Sequence, residues 1–304
     1  MSIFLPIAEM PVNWLIILAL SGFVGIVSGM TGVGGGFILT PFLIFLGVPA
    51  PVAVATQASQ ITATSASSLW AHARRNSVDW RMGALLTAGG VFGAAIGITV
   101  FQQTLQAGQI DILISLFYVV FLGVIGSLML FEATRALRGG AAAARPMPFN
   151  RPARTIAHRL PLQMRFPRSG LYISVLPPLA IGVGIGALAA IMGVGGAFVL
   201  IPAMIYLLRM PTNVVVGTST FQILCVMTTV TLMQATLNRS VDLVLAAILI
   251  LGGVIGAQVG ARWGARLPAE RIRAALALLM LGSGLKLFWD LVRTPQEMYV
   301  LGGQ

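Results

Sequence analysis

Charged residues are scarce in this chain of 304 residues, because Asp, Glu, Lys and Arg together make up only 9% of it. A soluble globular protein usually carries about 25% charged residues, and this chain has too few to cover a surface that faces water. Hydrophobic residues make up 57%. The composition therefore argues against a soluble enzyme and against a disordered chain, and it fits a protein whose solvent is the lipid bilayer.

Three further residue types are rare, and each shortage argues against a kind of chemistry. The single cysteine, Cys225, excludes a disulfide within the chain and a metal site built from several cysteines. The single lysine, Lys286, is followed by Leu287, so the chain has no Walker A motif for ATP. The two histidines, His72 and His158, lie at or outside the ends of apolar segments. We therefore expect no enzyme and no bound metal or cofactor.

Basic residues give the chain a net charge of +11, but their distribution does not indicate a nucleic-acid partner. No Lys or Arg precedes Arg74, and the basic residues form short clusters between apolar runs, as in the loops of membrane proteins. The lack of positive charge before the first apolar run also argues against a secretory signal peptide. The expected partner of these clusters is membrane lipid.

Ten apolar segments indicate an all-α polytopic membrane protein, because open β-strands would leave unpaired backbone groups in lipid. Eight segments approach the roughly 20 residues that a spanning helix needs. Segments two and seven are shorter, and we interpret them as short spans or re-entrant hairpins. The segments cover residues 13–30, 35–46, 51–73, 82–101, 110–131, 172–192, 197–208, 213–237, 243–261 and 272–291.

The stretch from residue 132 to residue 171 separates two sets of five segments. It contains eight arginines, five prolines and one acidic residue, and we interpret it as a cytoplasmic linker that can lie on anionic lipid headgroups. The predicted domains are a first transmembrane repeat over residues 1–131, this linker, and a second transmembrane repeat over residues 172–304. If all ten segments cross, sixteen of the nineteen basic residues lie in the cytoplasm, as the positive-inside rule requires, and both termini lie outside.

The two halves of the chain repeat each other at four separate places, with offsets of 161 to 163 residues. Five segments per half is an odd number, so we expect the second half to enter the membrane upside down. Such inverted-topology repeats are typical of secondary transporters, although channels can also contain them. The matching places are residues 32–41 with 193–202, Thr56 and Gln60 with Thr218 and Gln222, residues 78–79 with 241–242, and residues 89–97 with 252–260.

Each half contains a dense glycine cluster directly before its short segment. Glycine lets the backbone leave helical geometry and approach a ligand, and a helix that starts there presents free N–H groups and the positive end of its dipole to an anion. We therefore predict broken helices that bind substrate where the two repeats meet. The predicted contacts are Gly32, Gly34, Gly35, Gly36, Gly193, Gly195 and Gly196. For Gly89, Gly93, Gly97 and their counterparts we predict close helix packing instead.

Segments three and eight begin with uncharged polar side chains, which are costly inside a membrane and tend to mark a pathway. Hydroxyls and amides can donate hydrogen bonds to an anion without carrying charge. The predicted binding site therefore also includes Thr56, Gln57, Gln60, Thr218, Ser219 and Gln222. For the later hydroxyls of segment three we predict hydrogen bonds between helices; these are Thr62, Thr64, Ser65, Ser67 and Ser68.

Titratable residues are expected only at the membrane surfaces. All eight acidic residues lie at or near segment ends, so no proton relay at mid-membrane is expected. His72, Arg74 and Arg75 could form a cytoplasmic vestibule, but an interfacial loop is the preferred interpretation.

These motifs resemble the TauE/SafE family of membrane proteins, also called 4-toluene sulfonate uptake permeases. The resemblance rests on Gly32-Val33-Gly34-Gly35-Gly36 before Pro41, on Ala53-Val54-Ala55-Thr56-Gln57, and on Gly193-Val194-Gly195-Gly196 with Gly217-Thr218-Ser219. It covers nearly the whole chain apart from the linker, whose length departs from the family pattern.

The resemblance implies a transporter in the bacterial inner membrane for small sulfur-containing anions, such as sulfite, sulfoacetate or other organosulfonates. Export is the direction usually assigned to the family. The coupling ion is unknown, and a homo-oligomer is compatible with the resemblance. The alternative is an anion channel on the same inverted-repeat scaffold.

Overall fold

The computed structural model describes residues 2–31, 36–74, 76–138, 163–264 and 269–292, and each of the ten predicted apolar segments contains a helix. The first half forms α1 (Trp14–Thr31), α2 (Gly36–Phe45), α3 (Ala50–Arg74), α4 (Trp80–Gln106) and α5 (Ile110–Arg138). The second half forms α6 (Leu176–Met192), α7 (Ala197–Pro202), α8 (Thr212–Met233), α9 (Leu243–Gly264) and α10 (Ala269–Val292). Two π-helical turns extend α7 over Ala203–Leu207 and α8 over Gln234–Asn238.

Each half begins with a β-hairpin that the sequence analysis did not predict. Strands β1 (Ser2–Leu5) and β2 (Met10–Asn13) pair antiparallel before α1, and β3 (Gln163–Phe166) and β4 (Leu171–Ser174) pair antiparallel before α6. The predicted start of segment six at Tyr172 is therefore wrong, because Tyr172 lies in β4 and the helix begins at Leu176. The second hairpin occupies the end of the predicted linker, of which residues 139–162 lie outside the described part of the chain.

Within the described residues, five helices are long and apolar enough to cross a bilayer, namely those over residues 80–106, 110–131, 214–238, 243–260 and 274–292. α1 and α6 have 18 and 17 residues, and α3 has 25 residues with many polar side chains. Segments two and seven are short, as predicted, because α2 has 10 residues and α7 has 6 before its π-helical turn. With a rise of about 1.5 Å per residue, α2 reaches roughly half-way through a hydrocarbon core of ~30 Å.

Helices of one half pack mainly against helices of the other half. α1 lies along α9, and α4 lies along α6. α3 contacts α8, and α5 contacts α10. In addition, α3 contacts α9 just as α4 contacts α8. If each helix is replaced by the equivalent helix of the other half, the same set of contacting pairs results. The packing is therefore symmetric in the same way as the sequence repeat.

Close approach of these helix pairs depends on glycines. A Cβ atom at Gly93 of α4 would lie 2.0 Å from the carbonyl oxygen of Val183 in α6. A Cβ atom at Gly256 of α9 would lie 2.2 Å from the carbonyl oxygen of Gly22 in α1. Backbone atoms at these distances cannot move aside, so the predicted packing role of these glycines is confirmed.

One end of the helix bundle carries most of the described basic side chains, and we name it the basic end. It contains the turn between α3 and α4 and the start of α8, which touch each other, because a Cβ atom at Gly217 would lie 2.3 Å from the Ser77 carbonyl oxygen. The described basic residues of this end are Arg74, Arg81, Arg165, Arg168, Arg209 and Arg262. The opposite end contains the turn between α4 and α5, together with Arg239 and Lys286.

Candidate functional site

A cavity of about 380 Å³ opens at the basic end and reaches the middle of the bundle. Its walls come from α1, α3, α8 and α9, and its inner end comes from the starts of α2 and α7. Hydroxyls and amides provide much of the polar lining, among them Ser28, Gln60, Thr64, Ser68, Ser219 and Gln258. The cavity therefore offers uncharged hydrogen-bonding groups along its length.

The two short helices begin at the inner end of the cavity. Gly36 is the first residue of α2 and lines the cavity together with Val194 and Ala197, which lie at the start of α7. The rings of Phe37 and Phe198 meet edge to face there, with centroids 5.9 Å apart. The first N–H groups of a helix have no acceptor within it, and a helix that begins at Gly36 is therefore expected to direct backbone donors and the positive end of its dipole toward the cavity.

Gln57 supports the start of α2 and does not line the cavity. Its side chain is fully buried; its amide nitrogen donates to the Gly36 carbonyl oxygen, and its amide oxygen accepts a hydrogen bond from the Thr40 hydroxyl. A Cβ atom at Gly36 would lie 2.6 Å from that amide nitrogen. Gly36 therefore leaves room for the side chain that ties α3 to α2.

The second glycine cluster is required by the shape of the backbone. Gly193, Gly195 and Gly196 have φ angles of +68°, +73° and +68°, which L side chains rarely adopt. A Cβ atom at Gly193 would in addition lie 2.4 Å from the Val54 carbonyl oxygen. These glycines shape the turn between α6 and α7, and the residue of this turn that lines the cavity is Val194.

Thr56 and Thr218 join the two halves of the protein. The hydroxyl oxygen of Thr218 accepts a hydrogen bond from the Asp79 N–H at 2.9 Å, and that of Thr56 accepts one from the Asp242 N–H at 3.0 Å. Both threonines are fully buried. In this conformation they fix the starts of α8 and α3 to the opposite half, away from the cavity.

Asp79 and Asp242 are buried carboxylates that cap α4 and α9 and also hold the hairpins. Asp79 accepts hydrogen bonds from the Met82 N–H at 3.2 Å and from the N–H and hydroxyl of Ser169, in the second hairpin, at 3.0 and 2.6 Å. Asp242 caps α9 in the same way and accepts a hydrogen bond from the Ile7 N–H, in the first hairpin, at 2.9 Å. Sequence reasoning used these residues only to recognise the repeat and missed their role.

Gln222, the repeat counterpart of Gln60, lies outside the cavity. It is fully buried beside Gly90 of α4, and neither its amide nitrogen nor its amide oxygen has a hydrogen-bond partner in the described structure. Gln60 lines the cavity, and its amide nitrogen donates to Ser21 Oγ at 3.4 Å. The two equivalent amides therefore have different environments, which a symmetric sequence pattern does not reveal.

Three of the predicted site residues line the cavity, namely Gly36, Gln60 and Ser219. The other described site residues do not line the cavity but hold the helices around it in place. They are Thr56, Gln57, Thr218, Gln222, Gly193, Gly195 and Gly196. Gly32, Gly34 and Gly35 lie outside the described residues.

The sequence analysis missed part of the cavity wall on α3. It assigned later hydroxyls of this helix to contacts between helices, yet Thr64, Ser65, Ser67 and Ser68 line the cavity, as does His72 in the last turn. The spacing of polar residues could have identified this wall, because residues 60, 64, 68 and 72 are four apart and share one face of a helix. Thr62, which is off this face, donates to the Ala58 carbonyl oxygen of its own helix.

Comparison with known proteins places these features in a family. A family model described as sulfite exporter TauE/SafE matches residues 17–287. The chain belongs to the TauE/SafE family. This TauE/SafE protein is 29% identical over 274 residues to the probable membrane transporter protein YjnA of Bacillus subtilis (strain 168), covering 89% of this chain and 98% of YjnA.

Two further relatives extend the comparison. A probable membrane transporter protein of Xylella fastidiosa (strain 9a5c) is 27% identical over 274 residues, with 88% of this chain and 92% of the relative covered. YunE, another probable membrane transporter protein of Bacillus subtilis (strain 168), is 26% identical over 217 residues, with 69% and 73% covered. No solved structure matches the chain. Together with the five candidate spans, these matches identify a multi-pass membrane transporter with bacterial relatives.

Proposed function

We propose that this TauE/SafE protein is a secondary transporter that exports small sulfur-containing anions, such as sulfite, sulfoacetate or other organosulfonates, by alternating access. The observation that carries the proposal is the polar cavity, which opens at the basic end and stops at the starts of α2 and α7. A transporter that works by alternating access exposes its central site to one side of the membrane at a time, whereas an open channel needs a continuous pore.

Tight packing beyond the inner end of the cavity supports a transporter over a channel. α8 continues from the cavity toward the opposite end with Val226, Met227 and Val230, each at most 1% exposed. These side chains belong to an apolar core shared with residues of α4 and α6. A solute at the inner end of the cavity would have to separate these helices in order to leave on the other side.

Hydrogen bonds between the halves support inverted-topology repeats. α3 starts beside Asp242, through Thr56, and ends at the turn that contains Asp79. α8 starts beside Asp79, through Thr218, and ends shortly before Asp242. Two equivalent helices thus run in opposite directions between the same two ends, as expected when one repeat is inverted in the membrane.

The distribution of arginines supports an orientation with the basic end in the cytoplasm of a bacterial inner membrane. The cavity then opens to the cytoplasm, which is the conformation that loads a substrate for export. If the two repeats exchange their conformations, the opposite end opens and the basic end closes, which gives the second conformation of the transport cycle.

The chemistry of the cavity fits a small oxyanion. The amide of Gln60 and the first backbone N–H groups of α2 can donate hydrogen bonds to a sulfite or sulfonate group. The hydroxyls of Thr64 and Ser219 donate to carbonyl oxygens of their own helices in this conformation and can turn to a bound anion by rotation about χ1. The description of the matching family model, a sulfite exporter, supports the same class of substrate.

The proposal is tested by the flux of labelled sulfite or sulfoacetate into liposomes that contain the purified protein. We expect saturable flux, and we expect Gln60→Leu and Ser219→Ala each to weaken apparent affinity about fivefold, the effect of losing one hydrogen bond of ~1 kcal/mol. Thr99→Val is the control, because the Thr99 hydroxyl is exposed outside the cavity and donates to the Ile96 carbonyl oxygen.

Two results would contradict the proposal. The first is the absence of substrate-dependent flux, or flux that the Gln60 and Ser219 variants leave unchanged. The second is single-channel currents carried by these anions across a planar bilayer, which would favour the channel.

A further inference from the structure

The face of α3 that lines the cavity carries a row of polar residues that ends in an ionisable one. Gln60, Thr64, Ser68 and His72 follow each other at intervals of four residues and all line the cavity. At about 1.5 Å per residue, the row is ~18 Å long and connects the inner end of the cavity with its mouth at the basic end. Among the described residues that line the cavity, His72 is the one with a titratable side chain.

The equivalent face of α8 has no such row. Gln222, Val226, Val230 and Gln234 occupy the corresponding positions, each 162 residues later, and all four are at most 1% exposed. The counterpart of His72 is therefore Gln234, which cannot become charged and whose amide oxygen accepts a hydrogen bond from Asn238 at 2.6 Å. Of these two equivalent positions, only the one on α3 carries an imidazole.

The local contacts hold His72 at this entrance. Its Nδ1 atom lies 3.2 Å from the hydroxyl oxygen of Ser77, and that hydroxyl donates to the His72 carbonyl oxygen at 3.0 Å. The side chain is half-buried in the last turn of α3. This geometry leaves the ring on the cavity wall and ties it to the turn between α3 and α4.

The described side chains on the cavity walls near His72 are mostly uncharged. The neighbouring walls contribute neutral Ser28 from α1, Thr220 from α8 and Gln258 from α9, with exposed Arg262 one turn beyond Gln258. On α3 itself, the Arg74 guanidinium lies 5.0 Å from the centre of the Trp70 ring.

Asp79, in the turn after α3, is buried and accepts hydrogen bonds from Met82 and Ser169. The Asp79 carboxylate therefore accepts hydrogen bonds from the hairpin and from the start of α4, and it does not line the cavity. The described residues that line the cavity include no acidic side chain, so a proton on His72 places a positive charge among neutral hydrogen-bonding groups.

We propose that protonated His72 captures the anion at the mouth of the cavity and makes loading from the basic end depend on pH. Histidine is the side chain that normally changes its charge between about pH 5 and 8. A cation near the entrance attracts an anion, and the neutral donors of Gln60, Thr64 and Ser68 then lead it inward. This inference rests on the proposed transport of sulfur-containing anions and adds the residue that controls loading.

The test measures sulfoacetate flux from the basic-end side in oriented liposomes, from about pH 5.5 to about pH 8.5. Sulfoacetate suits the test because both of its acidic groups remain ionised in this range, so changes report on the protein. For the wild-type protein we expect the half-saturating concentration to rise about fivefold from the lowest to the highest pH.

Two substitutions separate the charge of His72 from its shape. His72→Gln, which introduces the residue of the repeat counterpart, should give weak loading that no longer varies with pH. His72→Arg should give strong loading at every pH, because its cation does not titrate in this range. Retention of the wild-type pH dependence in either variant would overturn the inference.

One control addresses indirect effects. Arg74→Gln removes a nearby exposed cation but keeps the imidazole and its contact with Ser77, so it should keep the wild-type pH dependence; loss of it in this variant would contradict a direct role of His72. If the wild-type protein moved neither sulfoacetate nor sulfite, the proposed function would fail and this inference with it. If wild-type flux occurred without pH dependence, this inference alone would fail.

Discussion

Single residues in this protein are constrained most strongly where helices of the two halves touch. In α6, a Cβ atom at Gly186 would lie 1.9 Å from the Gly90 carbonyl oxygen of α4, whereas one at Gly184 would meet nothing within 4 Å. Two glycines of one helix, two residues apart, thus have opposite tolerance for a methyl group, since only one of them faces the partner helix.

This difference predicts the outcome of two alanine substitutions. Gly186→Ala should destabilise the detergent-solubilised protein by about 1–3 kcal/mol, the usual cost of overpacking, and Gly184→Ala should cause no loss. Thermal unfolding of the two variants beside the wild type measures the effect. Equal midpoints for both variants would show that α4 and α6 are not packed this closely.

A second prediction concerns the buried carboxylate of Asp79. In Asp79→Asn, an amide nitrogen replaces one of the two accepting oxygens, so the hydrogen bonds from Ser169 or from Met82 are lost. We expect a loss of about 1.5–3 kcal/mol, as for hydrogen bonds to a charged group. Asp290→Asn, at an exposed position of α10, is the control and should change stability by less than ~0.5 kcal/mol. Thermal unfolding of both variants measures these losses of stability. Equal losses in Asp79→Asn and Asp290→Asn would refute the role of Asp79.

At the scale of whole elements, α3 and α8 are equivalent helices with different faces. α3 presents hydroxyls to an open cavity, and the same positions of α8 are buried and mostly apolar. Their shared Thr and Gln residues predicted equal roles for both helices. The residues one and two turns further along differ, because on α3 they line the cavity and on α8 they lie in the apolar core.

Cysteine labelling tests this difference between the helices. In a Cys225→Ala background, Ser68→Cys should react with a water-soluble thiol reagent at least ~10-fold faster than Val230→Cys, because Ser68 is exposed on the cavity wall and Val230 is 0% exposed. A substrate that favours the other conformation should reduce the difference. Similar rates in the absence of substrate would contradict the assignment of the open and closed sides.

At the scale of the whole molecule, the two hairpins lie at opposite ends of the bundle. The first is bound to Asp242 and the second to Asp79, and these two residues stand at opposite ends of α3 and α8. Corresponding strands of the repeats are therefore expected on opposite faces of the membrane.

This arrangement gives a direct test of inversion. Ile3 of β1 and Met164 of β3 are equivalent positions with 37% and 40% exposure. In the Cys225→Ala background, an impermeant reagent added to intact cells should label Ile3→Cys and should label Met164→Cys only after the membrane is opened. Labelling of both from the same side would rule out inverted repeats.

The fold was predictable from the sequence to the extent that it depends on long apolar runs. The starts of α5 and α9 agree with the predicted segments, because a glycine or a charged residue lies just before each of them. The hairpins were not predictable in this way, since strands of four residues are too short to show a period of two over several repeats. The bends between β1 and β2 and between β3 and β4 depend on contacts with aspartates far away in the chain.

The site was predictable only in part, for a physical reason. The second glycine cluster revealed the turn between α6 and α7, and Gly36 does border the cavity. The sequence shows that Thr56, Gln57 and Gln222 are polar. It does not show whether each side chain contacts a cavity, the N–H of an aspartate or another helix. That choice depends on how α3 and α8 rotate against the opposite half, which is a property of the packed molecule.

The crossed attachment of the hairpins has a consequence for biogenesis. While the ribosome has released only α1 to α5, the carboxylate of Asp79 still lacks Ser169, and the hydroxyl of Thr56 still lacks the Asp242 N–H. These two contacts form only when the second half is present, so we expect the first five helices alone to be less stable than they are in the complete bundle. A protein truncated after α5 is therefore expected to be degraded faster in cells than the full chain.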